Sequence, residues 1–311
     1  MNLKQLSDSL GLSQTTVSRA LNGYSNVSET TRQRVMEMAK KSGYAPNAMA
    51  RRLAMGKADA IGLVYPLDST YLGDPRFLEV IEGVTDRFNQ LQIDVFLASA
   101  GKSAELETYR RLIRDQRVDG LIVARTQLDD LRINYLQESK FPFVSYGRTA
   151  DPTGFAWFDF DNALGMQLAV ERLVALGHRR IAYIHAPLDL TFAYQRHQGF
   201  VEAMAAAGLI VEPGFVREAG FVRRNAYAVM GEILKLPQRP TAVLVDNNQA
   251  GEGAVRALLD AGLKLGSDVS AIIYDGVPHD TLFDPQDVTA VEQTTSYEAG
   301  EKLVDLMLSV L

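Results

Sequence analysis

From Ala60 to Asp275 the chain repeats one pattern: a short Val/Ile/Leu-rich run, then a longer segment with apolar residues at helical spacing. The first series reads AIGLVYP, IDVFLAS, DGLIVA and FPFVSYG, with helices expected over 76–91, 103–116 and 128–138. A second series reads WFDF, IAYIHA, FVREAGF, TAVLVDN and VSAIIYD, with helices expected over 162–177, 193–208, 225–235 and 249–262. Strands that are apolar on both faces and joined by amphipathic helices belong to parallel sheets covered on both sides. Two such series exceed one doubly wound unit, so the pattern predicts an α/β body of two similar lobes.

Ligands of doubly wound sheets sit beyond the C-terminal ends of the strands, and two facing lobes would bring several of those ends together. Asp161-Asn162 follows WFDF, Asn247-Asn248 follows TAVLV, Asp275 follows AIIY and Gln293 follows TAVE. Phe77, Arg196 and Phe221 fall in loops or first helical turns after other strands, and Arg196 is the one cation the pattern places there. Amides, carboxylates, one guanidinium and aromatic faces suit a polyhydroxylated ligand. Each polar residue taken singly is equally an ordinary helix cap; their recurrence at strand ends is what points to a cleft.

The N-terminal segment has a different rhythm. Apolar residues in LKQLSDSL recur at spacings of three and four, Gly11 permits a sharp turn, and Ser13 is a good N-cap for a helix over Gln14–Leu21 that stops at Asn22-Gly23. With Val17, Ala20 and Leu21 inward, Gln14, Thr15, Ser18 and Arg19 project together on the other side. A third helix starts at Ser28 and buries Val35, Met38 and Ala39. Two short helices around a glycine turn, backed by a third, make an all-α helix-turn-helix head, whose polar side chains can bond base edges and phosphates in the major groove.

Charge supports that division. The whole chain carries −6, yet residues 1–60 hold nine Lys/Arg against four Asp/Glu, a net +5 that leaves −11 for the remainder. A basic head on an acidic body is expected where one segment meets phosphates and the rest should not. Between them, YAPNAMARRLAMGK has Asn47 as a cap for a short helix with Ala50 and Leu53 on one face, flanked by Arg51 and Arg52. So short a helix needs a partner surface. It reads either as an amphipathic linker or as a minor-groove wedge.

The run LKQLSDSLGLSQTTVSRALNGYSNVSETTRQRV…SGYAPNAMARRLA resembles the lac/gal repressor family in helix order, recognition helix and hinge. LVALGHRRIAYI, QRHQGF, RPTAVLVDNNQAGEGAVRALLDAGL and VSAIIYD resemble the same family's effector domain. The resemblance implies a helix-turn-helix head over 1–43, a hinge helix and linker over 44–57, and a two-lobed body of periplasmic-binding-protein type over 58–311. Within that body, lobe 1 is expected over about 58–158 plus 289–311 and lobe 2 over about 159–288. It also implies that Gln14, Thr15, Thr16, Ser18, Arg19 and Asn22 read DNA, with Asn47, Ala50 and Leu53 in a hinge that folds when two subunits meet on a near-palindromic operator. The implied effector-contacting positions are Phe77, Asp161, Arg196, Phe221, Asn247, Asp275 and Gln293. Leu190 stands where the family's purine-responsive branch has an arginine, and the head is most similar to repressors of α-glucoside use; a disaccharide effector such as sucrose, trehalose or maltose is the resulting expectation. Two departures are notable: Asn248 replaces the family's usual Asp, and the chain reaches Leu311 before the family's final strand, so either truncation or replacement of that segment is expected.

Other classes have little in the sequence to support them. There is no cysteine for disulfide, thiolate metal site or nucleophile, which fits a cytoplasmic protein. The N-terminus lacks a signal-peptide pattern and no apolar run is long enough to span a membrane. GEGAVR has Arg where a dinucleotide fingerprint needs a small residue, no P-loop or G-x-S-x-G is present, and His178, His185, His197 and His279 have no ligand spacing. Neither catalysis, metal nor cofactor is expected. A transporter's solute-binding component would share the body but should lack the basic head; a sugar-processing enzyme would share only the α/β class.

Overall fold

The first helix, α1 (Leu3–Leu10), starts at Asn2, whose side chain and that of Gln5 each accept the other's backbone N–H at 2.9 Å. Gly11 ends it in the left-handed region at φ 66°. Ser13 Oγ accepts from the Thr16 N–H at 3.1 Å and opens α2 (Gln14–Leu21), and Ser28 opens α3 (Glu29–Ser42) in the same way. Leu6, Val17, Ala20, Val35 and Ala39 form the core of this small bundle, with Leu3, Leu10, Leu12 and Met38 against it. The computed structural model describes residues 1–44, 56–65, 74–101, 104–278, 281, 283–284 and 288–311. The chain divides into two compact units, Met1–Asp59 and Ala60–Leu311.

The second unit contains two five-stranded parallel sheets. The first is built from β1 (Ala60–Tyr65), α4 (Pro75–Asn89), β2 (Asp94–Ser99), α5 (Glu105–Arg114), β3 (Gly120–Ala124), α6 (Leu131–Glu138), β4 (Phe143–Tyr146) and β5 (Ala156–Phe158), in strand order β2-β1-β3-β4-β5. The second contains α7 (Asn162–Ala175), β6 (Ile181–His185), α8 (Thr191–Ala206), β7 (Val216–Glu218), α9 (Arg223–Ile233), β8 (Ala242–Val245), α10 (Asn248–Asp260), β9 (Ser270–Tyr274) and β10 (Thr289–Val291), in order β10-β9-β8-β6-β7. The final helix, α11 (Ser296–Val310), returns to the first sheet.

Alternation within the apolar runs explains why helices cover both faces. Ile61, Leu63, Ile122 and Val144 face α4 and α11, while Val64, Leu121 and Val123 face Tyr109 and Leu112 of α5 and Ile133 of α6. In the second lobe, Ile184, Val243, Val245 and Ile273 face α9 and α10; Tyr183, Leu244 and Ile272 face α7 and α8.

Two strands lie elsewhere than the sequence suggested. WFDF, read as opening the second series, instead closes the first sheet: β5 pairs with β4, Ser145 opposite Trp157. Residues 289–291, expected with the first lobe, pair in the second sheet, Thr289 opposite Ile272 and Val291 opposite Tyr274. Only then does the chain cross back, so α11 alone of that segment belongs to lobe 1. Residues 159–161 and 292–295 are thus two connections between lobes, and both run beside the cleft.

Helices α4 and α11 approach so closely that glycine is needed on both. A Cβ at Gly83 would strike the Tyr297 carbonyl, and one at Gly300 would lie 2.9 Å from Val84 N and 3.1 Å from Gly83 Cα. Backbone atoms cannot rotate aside, so Gly300→Ala should cost about 1–3 kcal/mol by forcing the helices apart. Urea unfolding of parent and variant checks this; equal midpoints would show that the pair can separate freely.

Candidate functional site

A cleft opens between the two sheets of Ala60–Leu311. It is lined where the strands end, as the parallel topology requires. Tyr65 closes β1, Arg125 and Thr126 follow β3, Tyr146 closes β4, Asn247 and Asn248 follow β8, and Asp275 follows β9. Of the seven positions expected from sequence, Phe77, Arg196, Phe221, Asn247, Asp275 and Gln293 line it.

Asp161 does not. It is exposed, and its Oδ1 accepts from the Leu164 N–H at 2.9 Å as the N-cap of α7. Capping turns this carboxylate along its own helix, and its neighbours Asp159 and Asn162 face the cleft instead. Asn162 is 1% exposed; its amide nitrogen donates to Gln195 at 2.9 Å and its oxygen accepts from Arg196.

Arg196 is 5% exposed. Its Nε donates to Asn162 Oδ1 at 2.9 Å, its Nη1 donates to the Asp246 carbonyl, and its guanidinium carbon lies 3.4 Å from the Tyr274 ring centroid. It is not the sole cation: Arg76 and Arg125 also line the cleft. Arg76 donates to the Asp275 carbonyl at 2.8 Å. Arg125 sits at φ 55°, with its carbonyl accepting from Arg132 at 2.9 Å and its guanidinium 5.8 Å from the Phe221 ring centroid. Arg132 is in turn fixed by Asp130 at 2.6 Å and Glu105 at 2.5 Å. Burial alone would raise the Asp130 carboxyl; the Arg132 guanidinium overrides it and holds the group below its ordinary value.

Three arginines therefore meet three carboxylates, Asp74, Asp159 and Asp275. Burial pushes the carboxyls of Asp74 and Asp159 up, and does the same to fully buried Asp246 behind them, whose Oδ2 accepts from the Ala186 N–H at 2.9 Å. Asn247 is bonded to protein at both ends of its amide: Oδ1 caps α10 at Ala250 N, and Nδ2 donates to Gly220 O and Asp246 Oδ1. Gln293 donates to Asp275 Oδ1 at 2.6 Å. The walls add aromatic faces, with Tyr65 stacked on Phe77 at 3.7 Å and Phe192 beside Phe221 at 6.1 Å.

Sequence reading missed Tyr65, Asp74, Arg76, Arg125, Tyr146 and Phe192. Tyr65 and Tyr146 end apolar runs, so the strand-end rule would have found them. Asp74 and Arg76 open a helix far from their strand in sequence, and no periodicity marks them. Among the described residues no three acidic, histidine or cysteine side chains are grouped to hold a metal, and no helix is long and apolar enough to cross a membrane.

In the separate head, Gln14, Thr15 and Arg19 are exposed, while Thr16, Ser18 and Asn22 are half-buried. Thr15, Ser18, Arg19 and Asn22 follow at three, four and seven, hence on one side of α2. Thr16 Oγ1 lies 2.9 Å from the capping Ser13 Oγ, and Asn22 Nδ2 donates to Ser18 Oγ at 3.4 Å. Asn47, Ala50 and Leu53 lie outside the described residues.

The profile described as "Bacterial regulatory proteins, lacI family" matches residues 3–47, and that described as "Periplasmic binding proteins and sugar binding domain of LacI family" matches 58–311. The HTH-type transcriptional regulator RafR of Escherichia coli is 38% identical over 312 residues, covering 100% of this chain and 92% of RafR. The lac repressor dimer bound to operator and the anti-inducer ONPF superposes with a TM-score of 0.82 at 28% identity, covering 100% of this chain and 92% of that one. The transcriptional regulator CelR in complex with cellobiose superposes at 0.73 and 28% identity, covering 99% and 92%.

Replacing Arg196 by Ala strands the Asn162 and Asp246 acceptors in a buried wall. Arg196→Ala should destabilise the body by about 1–3 kcal/mol, and Arg196→Lys should recover little because an ammonium can neither fork nor stack. Denaturant unfolding of the three proteins measures it; full recovery by Lys would show that charge alone is needed.

Proposed function

This chain belongs to the LacI family of bacterial regulatory proteins, and from that premise we propose that it is a repressor released from its operator when a neutral sugar fills the interlobe cleft. It is a DNA-binding transcriptional regulator and not an enzyme. Residues 1–43 read the major groove through Gln14, Thr15, Thr16, Ser18, Arg19 and Asn22. Residues 44–57 form the hinge, with Asn47 capping it and Ala50 and Leu53 as the minor-groove wedge. Residues 58–311 bind the effector and a second copy of the chain, so that two heads meet two half-sites of a near-palindromic operator in the cytoplasm.

The observation that carries the effector class is the balance of the cleft. Among the described residues its cationic and anionic side chains are equal in number, and Arg76 and Arg196 are already bonded to the protein. A charged ligand would disturb that balance; hydroxyl groups need only share acceptors and donors. Stacked aromatic walls favour the apolar face of a pyranose ring. The CelR complex holds cellobiose, a disaccharide, and an α-glucoside such as sucrose, trehalose or maltose is the leading candidate. Phe77, Arg196, Phe221, Asn247, Asp275 and Gln293 form its site, with Asp159 in the place first expected of Asp161.

Release follows from linkage. A ligand that prefers one disposition of the lobes shifts the hinge between ordered and disordered states, and such coupling is typically about 1–3 kcal/mol.

A thermal-shift panel of neutral disaccharides, monosaccharides and sugar phosphates tests the effector class. A neutral disaccharide at 100 times its Kd should stabilise the protein by about 2.7 kcal/mol; stabilisation by sugar phosphates alone would overturn the reading. Leu53→Ala should weaken binding to an operator selected in vitro by about 1–3 kcal/mol at fixed salt while leaving sugar affinity unchanged. Equal operator affinity in parent and variant would remove Leu53 from the wedge.

A further inference from the structure

Hydrogen bonds between described residues join the two lobes across the cleft beside β3 and near the start of α4. Beside β3, the Thr126 carbonyl accepts the Thr191 N–H at 2.9 Å, and Gln127 pairs with Leu190 in a single antiparallel bridge. Leu190 is the N-cap of α8 and makes no side-chain cap bond, so a carbonyl from the other lobe satisfies the first amide of that helix. Near the start of α4, Arg76 donates to the Asp275 carbonyl, and Asn248 Nδ2 donates to Asp74 Oδ1 at 3.4 Å.

We propose that the Asp74–Asn248 pair sets the open–closed balance of the two lobes, and through it the affinity for effector and the gain of the switch. The link to effector rests on the reading of the cleft given above. Neither residue needs the other within its own lobe. Asp74 caps α4 through the same oxygen, accepting the Arg76 N–H at 3.1 Å. Asn248 is 6% exposed, and its Oδ1 accepts the Gln249 N–H at 2.7 Å. That bond fixes which end of the amide faces the gap: the oxygen is held by the backbone of α10 and the nitrogen is turned toward Asp74. The contact between them is therefore spent on holding the lobes together. It also meets a need, because burial and the nearby Asp275 both disfavour ionised Asp74, and an amide donor from the opposite lobe offsets that only when the cleft is shut.

A carboxylate at 248 would keep the oxygen that Gln249 uses and would favour the first turn of α10, yet it would confront Asp74 with a like charge. Exchanging the two residues restores the bond with its polarity reversed, since Asn caps a helix as well as Asp. Asn248→Asp and the double variant Asp74→Asn/Asn248→Asp therefore separate closure from local folding.

The measurement is amide hydrogen exchange of the full chain without ligand, with the Thr191 rate divided by that of Tyr183. The Tyr183 N–H bonds the Phe215 carbonyl inside the same lobe at 2.9 Å, so the ratio cancels global unfolding. Asn248→Asp should raise the ratio at least about fivefold, since a like-charge contact at about 4 Å costs about 1 kcal/mol even under the screening of bulk water. The double variant should return it to within about twofold of the parent. An unchanged ratio in the single variant, or an elevated one in the double, overturns the proposal. Because no sugar is present, that failure would leave the effector reading standing, whereas a sugar panel without a stabilising member would remove the effector reading alone.

Discussion

Arg196 enters the second lobe from the second turn of α8 and meets three other segments there: the start of α7 at Asn162, the end of β8 at the Asp246 carbonyl, and the ring of Tyr274 at the end of β9. An arginine this deeply buried is costly to desolvate unless its donors and its π-face are all engaged. Here Nε, Nη1 and the π-face are engaged, and so a charged group becomes the tie that aligns four chain segments along one wall. Aromatic residues that would contact a ligand, Phe192 and Phe221, are arranged around this tie, with Phe192 itself 4.8 Å from the guanidinium. The opposite wall uses the same device at smaller scale, Arg132 holding the Arg125 carbonyl while Asp130 and Glu105 neutralise it.

The head depends on different physics. Its helices α1 and α2 are eight residues each, too short to persist alone, and they are held by side-chain caps at Asn2 and Ser13 and by a core of small aliphatic residues shared with α3. That economy leaves one side of α2 free of core duties. Gln14, Thr15 and Arg19 are exposed for this reason.

Most of the body was legible because continuous Val/Ile/Leu runs in a parallel sheet carry their own signal on both faces. The strand-end rule located most of the cleft for the same reason. It slipped by two residues at Asp161, where Asp159, Asp161 and Asn162 can each cap or face inward and only the helix direction decides. It could not assign Thr289–Val291 to a sheet, since local periodicity says that a strand exists and nothing about its neighbour. Asp74 and Arg76 were invisible for a related reason: their role comes from facing Asn248 and Asp275, which lie far away along the chain.

The crossing of β10 into the second sheet before α11 returns to the first has a consequence for synthesis on the ribosome. The second lobe, from α7 to β10, is one uninterrupted stretch and can complete its sheet as soon as it has emerged. The first lobe begins earlier and finishes later, because Leu303, Val304 and Met307, which seal the face against Ile61 and Ile122, are translated after the whole of its neighbour. For that interval the older half of the body carries an open apolar face, the condition in which nascent chains most need protection from aggregation. The order of maturation is thus the reverse of the order of translation.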